Sequence, residues 1–232
     1  MVVLLGMSAA EAQDFALQRS RMVAEVEAMY ADTQGEIGLK GMSPAVRAAM
    51  GKVERHRLVP GEQQSAAYAN RPLPIGNGQT ISQPYIVALS ADLLAAKPEH
   101  VVLEVGTGSG YQAAVLGEVV RQVYSIELIE SLGRAAADRL AEMGYRNIEV
   151  RIGDGYAGWP EKAPYDGIVV TAAAPKIPPA LIAQLKPGGR MVIPVGGDGF
   201  TQYLKLVTKR ADGGYDEREV LPVRFVPLVP GR

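Results

Sequence analysis

The stretch Val101-Val102-Leu103-Glu104-Val105-Gly106-Thr107-Gly108-Ser109-Gly110-Tyr111 constrains the fold more than any other. Four apolar residues within five positions, three of them Val, are too few for a helix. They read as a strand buried on both faces, the kind found in parallel sheets. Three glycines at alternate positions follow, and Gln112-Ala113-Ala114-Val115-Leu116 resumes at helical spacing. A strand, a glycine turn and a helix start together aim backbone N–H groups and a positive dipole end at a ligand. Glycine is needed there because a Cβ would hold the ligand away from the backbone. The stretch therefore predicts a nucleotide-type cofactor site.

The rest of the chain repeats that rhythm. Val123 to Glu127 reads as a second strand, Ser131 to Met143 as a helix closed by Gly144, and Ile148 to Ile152 as a third strand ending in Gly153-Asp154-Gly155. Tyr165 to Val170 is a fourth strand, Pro178 to Leu185 a short helix, and Arg190 to Pro194 a fifth strand after the break Lys186-Pro187-Gly188-Gly189. Alternation of this kind means a parallel sheet covered on both faces. The pattern then changes: Gln202 to Thr208 and Glu219 to Val226 flank Ala211-Asp212-Gly213-Gly214 as an antiparallel hairpin. The predicted fold is α/β, a doubly wound, mostly parallel, seven-stranded Rossmann-like sheet with a C-terminal hairpin and an N-terminal helical extension.

Before the sheet, Met7 offers a second start, with residues 1 to 6 as a disordered extension. Ser8 and Glu11 have capping-box form, and Phe15, Met22, Val26, Met29 and Tyr30 recur at helical spacing to about Ala31. Ser43-Pro44 opens a second helix, ending near Arg55. Residues 60 to 81 show neither period, yet Tyr68, Leu73 and Ile75 predict an ordered loop over the site. Ile86, Val87, Leu89, Leu93 and Leu94 mark a helix to about Ala96, and spacing alone makes Ser82 its N-cap. The expected division is 1–81, N-terminal helices and loop, packed on 82–232, the cofactor-binding domain.

Composition narrows the function. At 232 residues and a formal net charge of −1, the chain lacks the basic field that general nucleic-acid binding uses. It has no cysteine, so disulfides, thiolate nucleophiles and Cys-held zinc are out. The two histidines, His56 and His100, lack metal-ligand spacing, and no metal is expected. No apolar run reaches a membrane span, and a cytoplasmic protein is the expectation.

A dinucleotide fingerprint wants G-x-G-x-x-G, whereas Gly106, Gly108 and Gly110 run G-x-G-x-G with Tyr111 next. Glu104 points a carboxylate at the site, which would repel a pyrophosphate but attract a sulfonium or an amino group. Glu127, about 20 residues beyond the first glycine, stands where such folds hold the ribose hydroxyls. A lone strand-end acid is usually solvated, but this one follows a glycine loop and a helix in the right order, which favours the ribose role. Asp154 either reaches the ligand's adenine edge or is simply a turn aspartate between glycines. Together these acids and the terminal hairpin favour S-adenosylmethionine over a dinucleotide.

Leu103 to Gly110 resembles the first motif of class I S-adenosylmethionine-dependent methyltransferases. More narrowly, Pro72-Leu73-Pro74-Ile75-Gly76, Gln79-Thr80-Ile81-Ser82-Gln83-Pro84, Ala172-Ala173-Ala174-Pro175, Leu185-Lys186-Pro187-Gly188-Gly189-Arg190 and Arg224-Phe225-Val226-Pro227-Leu228 are similar to protein-L-isoaspartate O-methyltransferases. The resemblance runs from about Ser43 to Leu228. It implies methyl transfer to the α-carboxyl of L-isoaspartyl residues in damaged proteins and peptides, with repair through a succinimide and S-adenosylhomocysteine as product. It further implies that Thr80, Glu104, Gly106, Thr107, Gly108, Gly110, Glu127, Leu128, Asp154 and Gly155 hold the cofactor. Ser82 would orient the acceptor carboxylate, and Val226 would pair with the substrate backbone. Tyr111, Tyr156 and Trp159 could face the sulfonium, though ordinary packing is the simpler expectation. Asn70 stands where many relatives carry an acid, a departure expected to touch only loop detail. The rival readings are a methyltransferase of this class acting on a small molecule or RNA, and a binding module without turnover. A monomer is expected, with the N-terminal helix as the contact if it dimerises.

Overall fold

The computed structural model describes residues 9–197 and 201–231; the Ser8–Glu11 capping box and the Met7 start lie outside what it describes. Chain order gives helices α1 (Ala9–Ile37) and α2 (Pro44–Lys52), strands β1 (Leu73–Gly76) and β2 (Gln79–Ile81), then α3 (Pro84–Leu93). The main run is β3 (Val101–Val105), α4 (Tyr111–Gly117), β4 (Gln122–Glu127), α5 (Glu130–Glu142), β5 (Ile148–Ile152) and β6 (Tyr165–Val170). It closes with α6 (Pro179–Gln184), β7 (Leu185–Val195), β8 (Gln202–Lys209) and β9 (Tyr215–Val223). No described helix is long and apolar enough to cross a membrane.

The sheet has seven strands, as the sequence predicted, in the order β5-β4-β3-β6-β7-β8-β9. Strands β3 to β7 are parallel, and β8 and β9 join antiparallel. The winding steps outward from β3 through β4 to β5, then returns to β6 on the other side. The crevice for a ligand therefore opens beyond the carboxyl ends of β3, β4 and β6. Val102, Leu103 and Val105 are buried on both faces of the sheet. Strand β7 starts earlier than predicted: Leu185 pairs with Tyr165, and Pro187 to Gly189 form an irregularity within the strand rather than a break before it.

The N-terminal region differs most from expectation. Helix α1 continues through Gly35 and ends only where Gly38 turns to φ +71°. Tertiary contacts outweigh the glycine: Tyr30 and Ile37 are fully buried, and the Tyr30 hydroxyl donates to Asp92 Oδ2 on α3 at 2.7 Å. Ser43 caps α2 as predicted, its Oγ accepting the Val46 N–H at 3.3 Å. Residues 60 to 81 are built rather than irregular: a 3₁₀ turn at Gly61–Ala66 is followed by the β1–β2 hairpin. Leu73, Ile75 and Ile81 of that hairpin join Met22 and Val26 of α1 in the core beside Val102 and Val192 of the sheet.

Arg55 clamps this layer. Its guanidinium is fully buried, donates from Nε to the Ala67 carbonyl at 2.7 Å, and lies 4.5 Å from the centre of the Tyr111 ring. Burial without a carboxylate partner among the described residues lowers its pKa to about 10, so it stays charged at neutral pH.

Candidate active site

The glycine turn forms because β3 ends against its neighbours. The N–H groups of Gly106 and Thr107 both donate to the Ile126 carbonyl of β4, at 2.8 and 3.2 Å. Gly106 has φ +95°, and any Cβ there would collide with the Thr171 side chain. Thr171, the first residue beyond β6, donates its hydroxyl to the Gly106 carbonyl at 2.6 Å and so fixes the turn from the far side.

Two carboxylates organise the cavity. Glu127, at the end of β4, accepts the Gly108 N–H at 2.8 Å on Oε2 and the Ile129 N–H at 2.9 Å on Oε1. Lone pairs on both oxygens remain for a ligand's hydroxyls. Glu104 is fully buried. Its Oε2 accepts from Ser125 Oγ, which also meets Thr107 Oγ1 at 2.6 Å, while Oε1 has no partner among the described residues. Burial pushes the Glu104 carboxyl up to about 8; the Ser125 hydrogen bond offsets part of this, and the Glu127 charge adds to it. An orphaned buried acceptor is costly and points to a cationic group as its missing partner.

Of the residues predicted to hold the cofactor, Thr80, Glu104, Gly106, Thr107, Gly108, Glu127, Leu128 and Gly155 line one cavity, with Ser82 and Val226 at its edge. Gly110 and Asp154 do not. Gly110 starts α4 with φ +89° and packs on Leu140. Asp154 Oδ1 accepts the Tyr156 N–H at 2.8 Å, the turn role that was the plainer reading. Sequence reasoning passed over Ser125 and Thr171. Both sit at the C-terminal ends of central parallel strands, which is the signal that would have found them.

Ser82 is not the cap of α3. The N-cap is Gln83, with no side-chain bond of its own, and Asn70 Oδ1 instead accepts the Tyr85 N–H at 3.0 Å. Asn70 therefore satisfies a free N–H in the first turn of α3 in place of a cap side chain, and is more than loop detail. Ser82, half-buried and without a hydrogen-bond partner among the described residues, opens onto the first cavity and onto a second one. Thr80, Thr171 and Val226 line both as well. Val226 lies beyond β9, its carbonyl already accepting the Ala173 N–H at 2.8 Å. Trp159 packs edge-on against Tyr124, the Tyr156 hydroxyl donates to the Leu228 carbonyl at 3.2 Å, and neither residue lines the first cavity. Tyr111 is buried and does line it.

No Lys, Arg or His is among the described residues lining the first cavity, and two carboxylates are. That charge suits a cationic cofactor and opposes a pyrophosphate. With the sheet order and the antiparallel β8–β9 end, fold and site define a class I S-adenosylmethionine-dependent methyltransferase.

Comparison with known proteins narrows the class. The family model for protein-L-isoaspartate(D-aspartate) O-methyltransferase (PCMT) matches residues 34–232. Protein-L-isoaspartate O-methyltransferase 1 of Cupriavidus necator is 60% identical over 212 residues, covering 91% of this chain and 82% of that protein. Protein-L-isoaspartate O-methyltransferase 2 of Syntrophobacter fumaroxidans is 55% identical over 236 residues, covering 100% and 96%. A solved protein-L-isoaspartate O-methyltransferase superposes with TM-score 0.79 at 27% identity, over 90% of this chain and 65% of that one. The chain belongs to the protein-L-isoaspartate O-methyltransferase family.

Proposed function

We propose that the chain transfers the methyl group of S-adenosylmethionine to the α-carboxyl of L-isoaspartyl residues in damaged proteins and peptides. The ester then closes to a succinimide, whose hydrolysis partly restores aspartate. The observation that carries this reading is the meeting of two cavities at Thr80, Ser82, Thr171 and Val226. The first has the charge for the cofactor; the second opens outward and has room for a peptide.

The cofactor supplies an electrophilic methyl on a cationic sulfur. Glu104 offers its free oxygen to the cofactor's positive charge, and Glu127 receives the ribose hydroxyls. Gly106, Thr107, Gly108, Leu128 and Gly155 give close backbone approach. Gly110 and Asp154 act behind this shell, Gly110 by starting α4 and Asp154 by bracing the turn at Gly155. The acceptor carboxylate, with a pKa near ~4, is already ionised at neutral pH and needs no general base. What the chain supplies is alignment and exclusion of water. Ser82 donates its hydroxyl to the acceptor carboxylate at the junction, and Val226 borders the peptide. The β1–β2 hairpin closes the cavity from above, with Ile75 over Gly108.

Within this reading the enzyme is a cytoplasmic monomer without nucleic-acid or membrane partners, and residues 1–81 and 82–232 form one structural unit. Labelled methyl transfer to an isoaspartyl peptide tests the proposal. Base-labile label on the peptide is the expected result. Label on RNA or on a small molecule instead, or none at all, would overturn it.

A further inference from the structure

The acceptor is an anion, yet most of the charged residues described along its route are acidic. Glu104 and Glu127 line the first cavity, and Glu36 of α1 lines the second, a groove of about 550 Å³. Arg224 is the one Lys or Arg among the described residues lining either. It lies just beyond β9, two positions before Val226 at the junction, and is exposed. Neither an ion pair nor a hydrogen bond to another described residue engages its guanidinium. By contrast the nearby Arg218 is committed: it donates from Nη1 to the Glu36 carbonyl at 3.2 Å and from Nη2 to the Ile37 carbonyl at 3.0 Å. Apolar walls from Met29, Pro72, Ile86 and Phe225 lower the local dielectric and strengthen a charge pair formed in the groove.

We propose that Arg224 is a substrate-binding residue: its guanidinium captures the isoaspartyl carboxylate at the mouth of the groove and steers it past Glu36 toward Ser82. The inference rests on the functional reading above. A guanidinium fork matches a carboxylate with two parallel N–H···O bonds, a geometry that lysine lacks. Steering by one cation among acids makes capture dependent on ionic strength. Since Arg224 acts before the methyl moves, it lowers KM without raising kcat.

The test measures methyl transfer to one isoaspartyl peptide by wild type, Arg224→Gln, Arg224→Lys and Glu36→Gln at low and high salt. Peptide binding to the S-adenosylhomocysteine-loaded protein is followed in parallel by calorimetry. Arg224→Gln should raise KM and the peptide Kd about tenfold, the loss of one charge-assisted contact, with kcat and cofactor affinity close to wild type. Salt should raise the wild-type KM and leave that of Arg224→Gln nearly unchanged. Arg224→Lys should fall between them, and Glu36→Gln should lower KM. A wild-type KM and salt response in Arg224→Gln, or a fall in kcat and cofactor affinity instead, would overturn the role of Arg224 while leaving the methyltransferase reading intact. A wild-type protein that methylates no isoaspartyl peptide would overturn both.

Discussion

Replacing Glu104 with Gln should stabilise the cofactor-free protein, and do so more as pH rises. The unfolded carboxyl titrates near 4.5 and the folded one at about 8, because burial disfavours its charge. Between those values the folded state binds the extra proton, so stability falls with rising pH by about 1.4 kcal/mol per pH unit. Carried across the whole interval, the penalty approaches about 5 kcal/mol above pH 8, an upper bound that water entering the cavity would reduce. Below the unfolded pKa both states are protonated and the penalty disappears. Gln keeps the shape and carries no proton to lose. At about 2–4 °C per kcal/mol for a chain of this size, the melting temperatures should diverge by on the order of 10 °C by about pH 9. Thermal melts of both proteins across pH read this directly. Calorimetry adds a second readout: cofactor binding at neutral pH should release a proton from the wild type and none from Glu104→Gln, since a bound cation favours the carboxylate. Parallel melting profiles together with equal proton release would mean that Glu104 is not a buried acid awaiting a positive partner.

Further outcomes follow from the same geometry. Glu127→Ala should weaken S-adenosylhomocysteine binding by about 1.5–3 kcal/mol in calorimetry, the range for a hydrogen bond to a charged group, and comparable affinity for NAD would contradict the cofactor assignment. Asn70→Ala should cost about 1 kcal/mol of stability through the lost cap on α3, while Ser82→Ala should cost little stability. Ser82→Asp should keep the fold and lose most turnover, because its charge opposes the acceptor; full activity would remove Ser82 from the site. Ile75→Asp should lower the melting temperature markedly, since Ile75 is only 8% exposed within the shared core. An unchanged melting temperature would make the hairpin a detachable lid.

The parallel strands were legible because Val, Ile and Leu runs bounded by glycine have few other uses. The site's glycines and Glu127 were legible because the strand–turn–helix order fixes where a ligand lies. Gly35 misled because helix propensity is weak beside the burial of Tyr30 and Ile37. The β1–β2 hairpin escaped notice because two strands of four and three residues, carrying proline and glycine, show no period. Ser82 looked like a cap from spacing, but the cap of α3 comes from Asn70, a contact across fifteen residues that periodicity does not encode. Ser125 and Thr171 could have been found from their place toward the C-terminal ends of central strands, but their particular partners, Glu104 and Gly106, come from neighbouring strands.

The decisive measurement follows one isoaspartyl peptide and its aspartyl twin by chromatography, with the enzyme and S-adenosylmethionine present. The isoaspartyl form should disappear through a methyl ester and a succinimide while aspartyl peptide accumulates, and the twin should be untouched. Equal methylation of both peptides, or methylation of neither, would contradict it.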